Sequence, residues 1–193
     1  MATICCISYI CVENRLRTVR VISRDGTIIK TLNDNWTSIN NLDWSPDSTK
    51  LVITASKEDK EYQFRVFIAN LMTDEIVEVS IPLVEPHSFT EAHWSPDGQL
   101  IGVTTSPSLV SPIDGLVIFH PQDGTIEANL EAKRKVEEWF WSEGGDSILV
   151  NLAAAKRIGI FHWREKRLEK IPMASFLAEG LKDGDVSIKT PVW

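Results

Sequence analysis

Short apolar segments along this chain alternate with polar, turn-forming segments, and the clearest series lies within residues 38–81. Strict alternation and β-branched runs there predict four consecutive strands, at 38–45, 50–56, 64–71 and 75–81. No segment as long as an ordinary helix carries a convincing helical stripe. The hydrophobic pattern therefore predicts an all-β fold.

The same order of strands recurs along the sequence, which indicates copies of one unit. Whole units are predicted at 38–81, 90–130 and 136–173, and residues 3–32 form a partial unit that lacks its first strand. Residues 185–193 have the character of that missing strand. We therefore predict three whole units and a fourth unit that is split between the two ends of this sequence.

A phrase of tryptophan, serine and turn-forming residues closes the first strand of each unit. Its tryptophans stand 50 and then 47 residues apart, and a further tryptophan follows after 52 residues. Recurrence at this spacing is typical of a repeat architecture. The signature residues are Trp44, Pro46 and Asp47, then Trp94, Pro96, Asp97 and Gly98, then Trp141, and finally Trp193.

Each residue type in the signature suits a tight turn that leads into a packed sheet. Proline fixes φ at the first corner, aspartate accepts from backbone N–H groups, and glycine permits a positive φ. The indole is a large flat side chain that fills the gap between neighbouring sheets. The third copy has Glu143 and Gly144 where proline and aspartate stand elsewhere, so its turn is expected to differ in type.

Four-stranded units of this length, stacked around an axis, form β-propellers. The phrase Trp-Ser-Pro-Asp-Gly at 94–98, followed by the β-branched segment 98–106, resembles the TolB-like, WD-repeat-like propeller repeat. The propeller domain of prolyl oligopeptidase-type peptidases carries a similar repeat. The resemblance implies one domain over 1–193, a propeller-like array of about four four-stranded blades. It is informative about fold, since such repeats serve many unrelated functions.

Two ways of completing such an array remain open. In one, residues 185–193 pair beside 3–11 and close a four-bladed ring with a terminal strand clasp, which removes exposed edge strands. In the other, the chain forms an open arc, either part of a larger propeller or completed by a second copy in a homodimer. The usual blade number of the family, about six to eight, favours the arc.

The formal net charge of −7 argues against nucleic acid as a partner, because phosphate binding draws on clustered lysine and arginine. No stretch reaches the ~18 apolar residues that a membrane span requires. Protein or peptide partners are therefore the expected class.

Three cysteines, Cys5, Cys6 and Cys11, lie in one predicted strand. The neighbouring pair points to opposite faces of the sheet, and Cys5 and Cys11 lie too far apart along the strand to bond. Reduced, buried thiols are therefore expected. This favours a cytoplasmic location, with a secreted or periplasmic one left open.

Motifs for catalysis are not found in the sequence. It contains no phosphate-binding glycine loop, paired-cysteine metal set or nucleophile elbow. We therefore expect a protein that is not an enzyme and that has no cofactor and no metal. His120 and His162 end the third strands of their units, where Asn70 ends the equivalent strand, so a turn-capping role is expected for all three.

Polar residues on the predicted first strands are candidates for the lining of a central channel. These residues are Asp43, Glu91, His93 and Glu138. Such a channel forms a wet, acidic funnel that suits a small ligand or a peptide tail. The alternative is a hydrated pore with no physiological occupant.

Candidate partner contacts come from residues predicted to lie in loops. Trp36 precedes a blade, Trp163 and Arg164 lie in a hairpin, and Leu109 lies in the proline-rich loop 106–114. Trp163 has the alternative role of covering a blade edge. The sequence therefore favours a non-catalytic interaction module, with the propeller portion of a larger hydrolase, or a small-ligand enzyme with its site at the channel mouth, as the alternative.

Overall fold

The structure is a computed structural model that describes residues 7–13, 16–58, 63–83, 88–106, 115–131, 136–152 and 157–171. Across these ranges the regular structure is antiparallel β-sheet without an α-helix, which confirms the predicted fold class. No helix within them is long and apolar enough to cross a bilayer. Leu109, Trp193 and the predicted clasp at 185–193 lie outside the described residues, so both completions of the array stay predictions.

Fourteen strands lie in the described ranges. They are β1 (Ile7–Glu13), β2 (Leu16–Ile22), β3 (Ile28–Trp44), β4 (Lys50–Lys57), β5 (Arg65–Asn70), β6 (Ile76–Val79), β7 (Ser88–Trp94), β8 (Ile101–Ser106), β9 (Gly115–Phe119), β10 (Ile126–Glu131), β11 (Val136–Trp141), β12 (Ile148–Leu152), β13 (Arg157–His162) and β14 (Arg167–Ile171).

The strands form three sheets in which each strand pairs with its neighbours in sequence. One sheet runs β1 to β6, the second β7 to β10 and the third β11 to β14. We call β1, β2 and the first half of β3 blade 1. The second half of β3 with β4 to β6 is blade 2, and the second and third sheets are blades 3 and 4.

Strand β3 passes from blade 1 to blade 2 without a loop, which corrects the prediction of two strands separated at residues 33–37. Trp36 pairs with Arg17 of β2 on one side and with Lys57 of β4 on the other. The Asn33 side chain accepts from the Asn35 N–H at 3.0 Å, and Asn35 has a φ of +54°. Residues that favour turns therefore form an irregularity within a continuous strand rather than a loop.

The predicted exposure of Trp36 is wrong for the same reason. Its side chain is 0 % exposed and packs edge-on against Phe67, with ring centroids 5.9 Å apart. Because the indole is enclosed between blades 1 and 2, it is a core residue and is not available to a partner.

Within the described ranges, apolar side chains are buried between successive blades in three clusters. Blades 1 and 2 enclose Val19, Val21, Leu32, Trp36, Leu51, Ile53, Ala55, Phe67 and Ala69. Blades 2 and 3 enclose Val52, Val66, Val79, Phe89, Ala92, Trp94, Ile101, Val103, Val117 and Phe119. Blades 3 and 4 enclose Leu100, Leu116, Ile118, Ala128, Leu130, Val136, Trp139, Ile148, Val150, Phe161 and Trp163.

Alternation along each strand assigns its residues to the two neighbouring blades. In β9, Val117 and Phe119 pack toward blade 2, whereas Leu116 and Ile118 pack toward blade 4. Each fully buried side chain of this size contributes about 1.5–3 kcal/mol by its removal from water. Blade 3 therefore depends on both neighbours for burial of its two apolar faces.

The signature turns are organised by a serine that the sequence analysis did not single out. The Ser95 hydroxyl donates to Asp97 Oδ1 at 2.6 Å and accepts from the Leu100 N–H at 2.9 Å. Asp97 Oδ1 also accepts from the Gln99 N–H at 3.0 Å. Because the carboxylate accepts these hydrogen bonds, first of all from Ser95, the pKa of Asp97 is lowered. Ser45 and Asp47 make the same bonds in blade 2.

The turn in blade 4 has the same form, so the predicted difference in turn type is wrong. The Gly145 N–H donates to the Ser142 carbonyl at 2.8 Å, as Gly98 does to Ser95. Gly145 and Gly98 have φ angles of +68° and +70°. Asp146 accepts from the Ser142 hydroxyl at 2.7 Å and replaces the carboxylate missing at position 144.

The signature tryptophans and turns stack from one blade to the next. Trp94 is buried between blades 2 and 3, and Trp44 and Trp141 pack partly buried against the other two clusters. A Cβ built on Gly98 would lie 3.4 Å from Pro46 Cδ. A Cβ on Gly145 would lie 3.5 Å from Pro96 Cδ, so each proline contacts the glycine turn of the following blade.

Trp139 of blade 4 packs directly over Gly102 of blade 3. A Cβ on Gly102 would lie 2.6 Å and 2.8 Å from two carbons of the Trp139 ring. No real Cβ contact is that short, so only glycine fits beneath this indole.

Gly102→Ala is therefore expected to lower the free energy of unfolding by about 1–3 kcal/mol through overpacking. Gly144→Ala is the matched control, because a Cβ there meets only Asp146 Oδ1 at an ordinary 3.8 Å. Urea unfolding followed by tryptophan fluorescence measures both. Equal stability of the two variants would contradict the packing of Trp139 on blade 3.

Candidate functional site

The first strands of blades 2, 3 and 4 lie side by side and are joined by side chains that bond to the neighbouring backbone. The Ala92 N–H donates to Asn41 Oδ1 at 3.1 Å, and the Trp94 N–H donates to Asp43 Oδ2 at 2.8 Å. On the other side, Trp141 Nε1 donates to the His93 carbonyl at 3.3 Å. Polar residues on these strands therefore satisfy backbone groups that would otherwise be unpaired at the blade boundary.

Three of the four predicted channel residues come together around His93. Its Nδ1 lies 3.6 Å from Asp43 Oδ2, and its Nε2 lies 3.4 Å from Glu91 Oε1. All three side chains are half-buried. The Trp139 ring contacts the imidazole edge-on at a centroid distance of 5.1 Å. We call Asp43, Glu91 and His93 the His93 cluster.

Glu138 does not join the His93 cluster. It precedes Trp139 on β11, and neighbouring residues of a strand point to opposite faces of the sheet. Because Trp139 packs against His93 and blade 3, Glu138 lies on the other face and is exposed.

The two carboxylates keep His93 protonated. Burial alone lowers the pKa of His93, but hydrogen bonding and charge attraction from Asp43 and Glu91 outweigh it and raise the pKa to about 9. An imidazolium whose two ring nitrogens face carboxylates has no lone pair for accepting a proton or binding a metal. Across the described ranges, no group of three His, Cys, Asp or Glu side chains is placed to hold a metal ion.

A second site lies where the turns of blades 3 and 4 meet, and we call it the turn groove. Its volume is about 550 Å³. Blade 3 contributes Asp97, Gln99, Leu100, His120 and Glu127. Blade 4 contributes Trp163, Arg164 and Lys166. This is the size range of pockets that hold small molecules or a few residues of a peptide.

Trp163 and Arg164 were both predicted as partner contacts, but the first is buried and the second is exposed. Trp163 is only 6 % exposed, packs in the cluster between blades 3 and 4, and donates from Nε1 to the Gly145 carbonyl at 2.9 Å. The structure thus favours the alternative in which its indole covers the blade edge. Arg164 is exposed, and its guanidinium carbon lies 4.3 Å from the centre of the Trp163 ring.

The strand-end histidines pair with glutamates instead of capping turns, which corrects their predicted role. His120 Nε2 lies 2.7 Å from Glu127 Oε1, and His162 Nε2 lies 3.2 Å from Glu169 Oε2. Asn70 does cap its turn, since its Oδ1 accepts from the Met72 N–H at 2.9 Å. The seven-residue spacing of histidine and glutamate across each hairpin is the signal that the sequence analysis missed.

Comparison with known proteins supports the fold and nothing finer. No family model matches the chain, and no curated protein matches it. The structure is similar to the crystal structure of TolB from Acinetobacter baumannii, with a TM-score of 0.58 and 15 % sequence identity. The similarity covers 86 % of this chain and 40 % of the TolB chain, so this chain spans about two-fifths of that length. At such low identity the likeness shows a TolB-like β-propeller fold alone.

The ionised His93 cluster makes stability depend on pH. The pKa of His93 in the folded protein lies above its unfolded value of 6.5. The charged cluster therefore makes its full contribution to the free energy of unfolding below pH 6.5, and that contribution is lost as pH rises through about 9. Since the side chains of His93 and Asp43 are about a third exposed, solvent screens their attraction. The expected loss in the free energy of unfolding is therefore about 1–2 kcal/mol.

Asp43→Asn tests this pH dependence. The amide oxygen of the variant still accepts from the Trp94 N–H, while the negative charge beside His93 is removed. Urea unfolding between pH 6.5 and 9.5 is expected to show a shallower decline for the variant than for the unmodified chain. Parallel declines would show that His93 does not carry the raised pKa.

Proposed function

We propose that this chain is a non-catalytic β-propeller-type interaction module that binds protein or peptide partners at a surface formed by neighbouring blades. The turn groove is the observation that carries this proposal. It joins turns from blades 3 and 4, and those turns are fixed by the buried cluster beneath them. Turns held on packed sheets are preorganised, which reduces the entropy cost of binding.

The side chains at the groove support a protein or peptide as the occupant. Trp163 supplies a rigid apolar wall, and Arg164 supplies an exposed cation held against it. Tryptophan and arginine are the residue types that most often dominate binding energy at protein interfaces. Leu100 adds a further buried apolar side chain from blade 3.

The non-catalytic part of the proposal is supported by the state of His93. Its imidazolium is held between two carboxylates, so it is unsuited to act as a general base at neutral pH. The cluster links blades 2 and 3, and Trp139 of blade 4 contacts it. We therefore assign it a role in holding the first strands together.

A second candidate function is a small-ligand site at the first-strand edge, as in the propeller portion of a larger oligopeptidase-like hydrolase or of a small-ligand enzyme. The observation that favours it is that the carboxylates of Asp43 and Glu91 are partly accessible to solvent. In that case binding would depend on Asp43 and not on Arg164.

Random peptides displayed on phage and selected on the folded chain separate these candidates. Peptides that bind the unmodified chain are expected to lose about tenfold or more in affinity with Arg164→Ala, the usual cost of removing an interface arginine. Arg24→Ala is the matched control, since Arg24 is an exposed turn arginine of blade 1 outside the groove. Binders affected by Asp43→Asn alone would favour the second candidate. Failure to select any peptide would contradict the interaction module.

A further inference from the structure

We infer that the turn groove selects an acidic peptide segment and binds its carboxylate through Arg164 and Lys166. This inference rests on the proposed function and names the partner class for the same groove. Its basis is a difference among the charged side chains of the groove: the carboxylates already accept hydrogen bonds from the protein, whereas Arg164 and Lys166 have no carboxylate partner among the described residues.

The carboxylates of the groove already accept hydrogen bonds from the protein. Asp97 Oδ1 accepts from the Ser95 hydroxyl and the Gln99 N–H, at 2.6 and 3.0 Å. Glu127 Oε1 lies 2.7 Å from His120 Nε2. These groups are therefore occupied in shaping the turns and are poor partners for a cationic ligand.

Within the described ranges, the two exposed cations of the groove have no carboxylate partner. Among the described residues, neither Arg164 nor Lys166 has a carboxylate oxygen within 4.0 Å. Arg164 lies near enough to Asp97 and Asp146 for its charge to help lower the pKa of both, after the hydrogen bonds from Ser95 and Ser142. Its N–H groups nevertheless have no carboxylate acceptor in the part of the chain that the structure describes.

The guanidinium of Arg164 lies over the indole of Trp163. Its central carbon lies 4.3 Å from the ring centre, which is within the range of a cation–π contact. The N–H donors lie in the plane of the guanidinium, where a carboxylate forms two parallel hydrogen bonds. Contact with the packed indole thus restricts the guanidinium before a ligand arrives.

Lys166 lies on the same turn and supplies the second cation. Its N–H donates to the Trp163 carbonyl at 3.2 Å, and its φ is +52°. This backbone hydrogen bond closes the turn that carries both cations. A segment with one or two carboxylates therefore meets both cations, and the small parts of Leu100 and Trp163 that stay exposed line the groove beside it.

Charge favours a peptide over a nucleic acid. The formal charge of −7 on the whole chain repels a polyanion more strongly than a segment with one or two carboxylates, and among the described residues two cations without a carboxylate partner face the groove. One or two carboxylates flanked by uncharged residues match that number. Single-stranded DNA is therefore an outcome that would contradict the inference.

Synthetic peptides in matched pairs test the carboxylate preference by fluorescence anisotropy. Each pair shares one short sequence of alanine, leucine and serine around either two glutamates or two glutamines. Glutamate peptides are expected to bind the unmodified chain about tenfold more tightly, as charge-assisted hydrogen bonds require. Single-stranded DNA of similar length is the third probe.

Variants assign the preference to the groove. Arg164→Ala and Lys166→Ala are expected to remove most of it, Arg164→Lys to retain only part, and Arg24→Ala to leave it unchanged. Since all these side chains are exposed, circular dichroism melting is expected to show folded variants.

Equal binding of glutamate and glutamine peptides, a preference that persists in Arg164→Ala, or tighter binding of DNA would overturn the inference. If phage-selected peptides still require Arg164 in that event, the interaction module stands and only the acidic partner class falls.

Discussion

Blades 2 and 3 are apolar on both faces, and the fold depends on burying both faces against neighbouring blades. Alternate residues of β9 pack toward blade 2 and toward blade 4, and the same division runs through β4. A sheet that is buried on two sides cannot satisfy its hydrophobic surface alone. The inter-blade clusters are thus the cores of the molecule.

Packing of the blades against one another also determines where the polar side chains of the His93 cluster and the turn groove lie. Asn41 and Asp43 reach backbone groups of β7 because the first strands of blades 2 and 3 are held side by side. The same packing encloses His93 between carboxylates from both blades. At the turns, burial of Trp163 between blades 3 and 4 orients Arg164, and the groove exists only because turns of two blades meet there.

Regular tryptophan spacing and period-two alternation were enough to predict the all-β, blade-like fold, because both report burial that repeats along the chain. The loop predicted around Trp36 was wrong because asparagine and aspartate favour turns in isolation, whereas pairing on both sides keeps β3 continuous.

The sequence placed Asp43, Glu91 and His93 on equivalent strands. It did not exclude Glu138, whose face depends on where Trp139 packs. The turn groove was not predicted, because its residues are distant in sequence and meet only through inter-blade contacts, although Arg164 was singled out.

A double-mutant cycle between Gly102 and Trp139 measures the contact between blades most directly. Gly102→Ala, Trp139→Leu and the double variant are compared by urea unfolding. If blade 4 packs on blade 3 as described, Trp139→Leu makes room for the added methyl group, and the alanine costs about 1 kcal/mol or more less in that background. Strict additivity of the two substitutions would contradict the account, because it would mean that the indole of one blade does not lie over the glycine of the other.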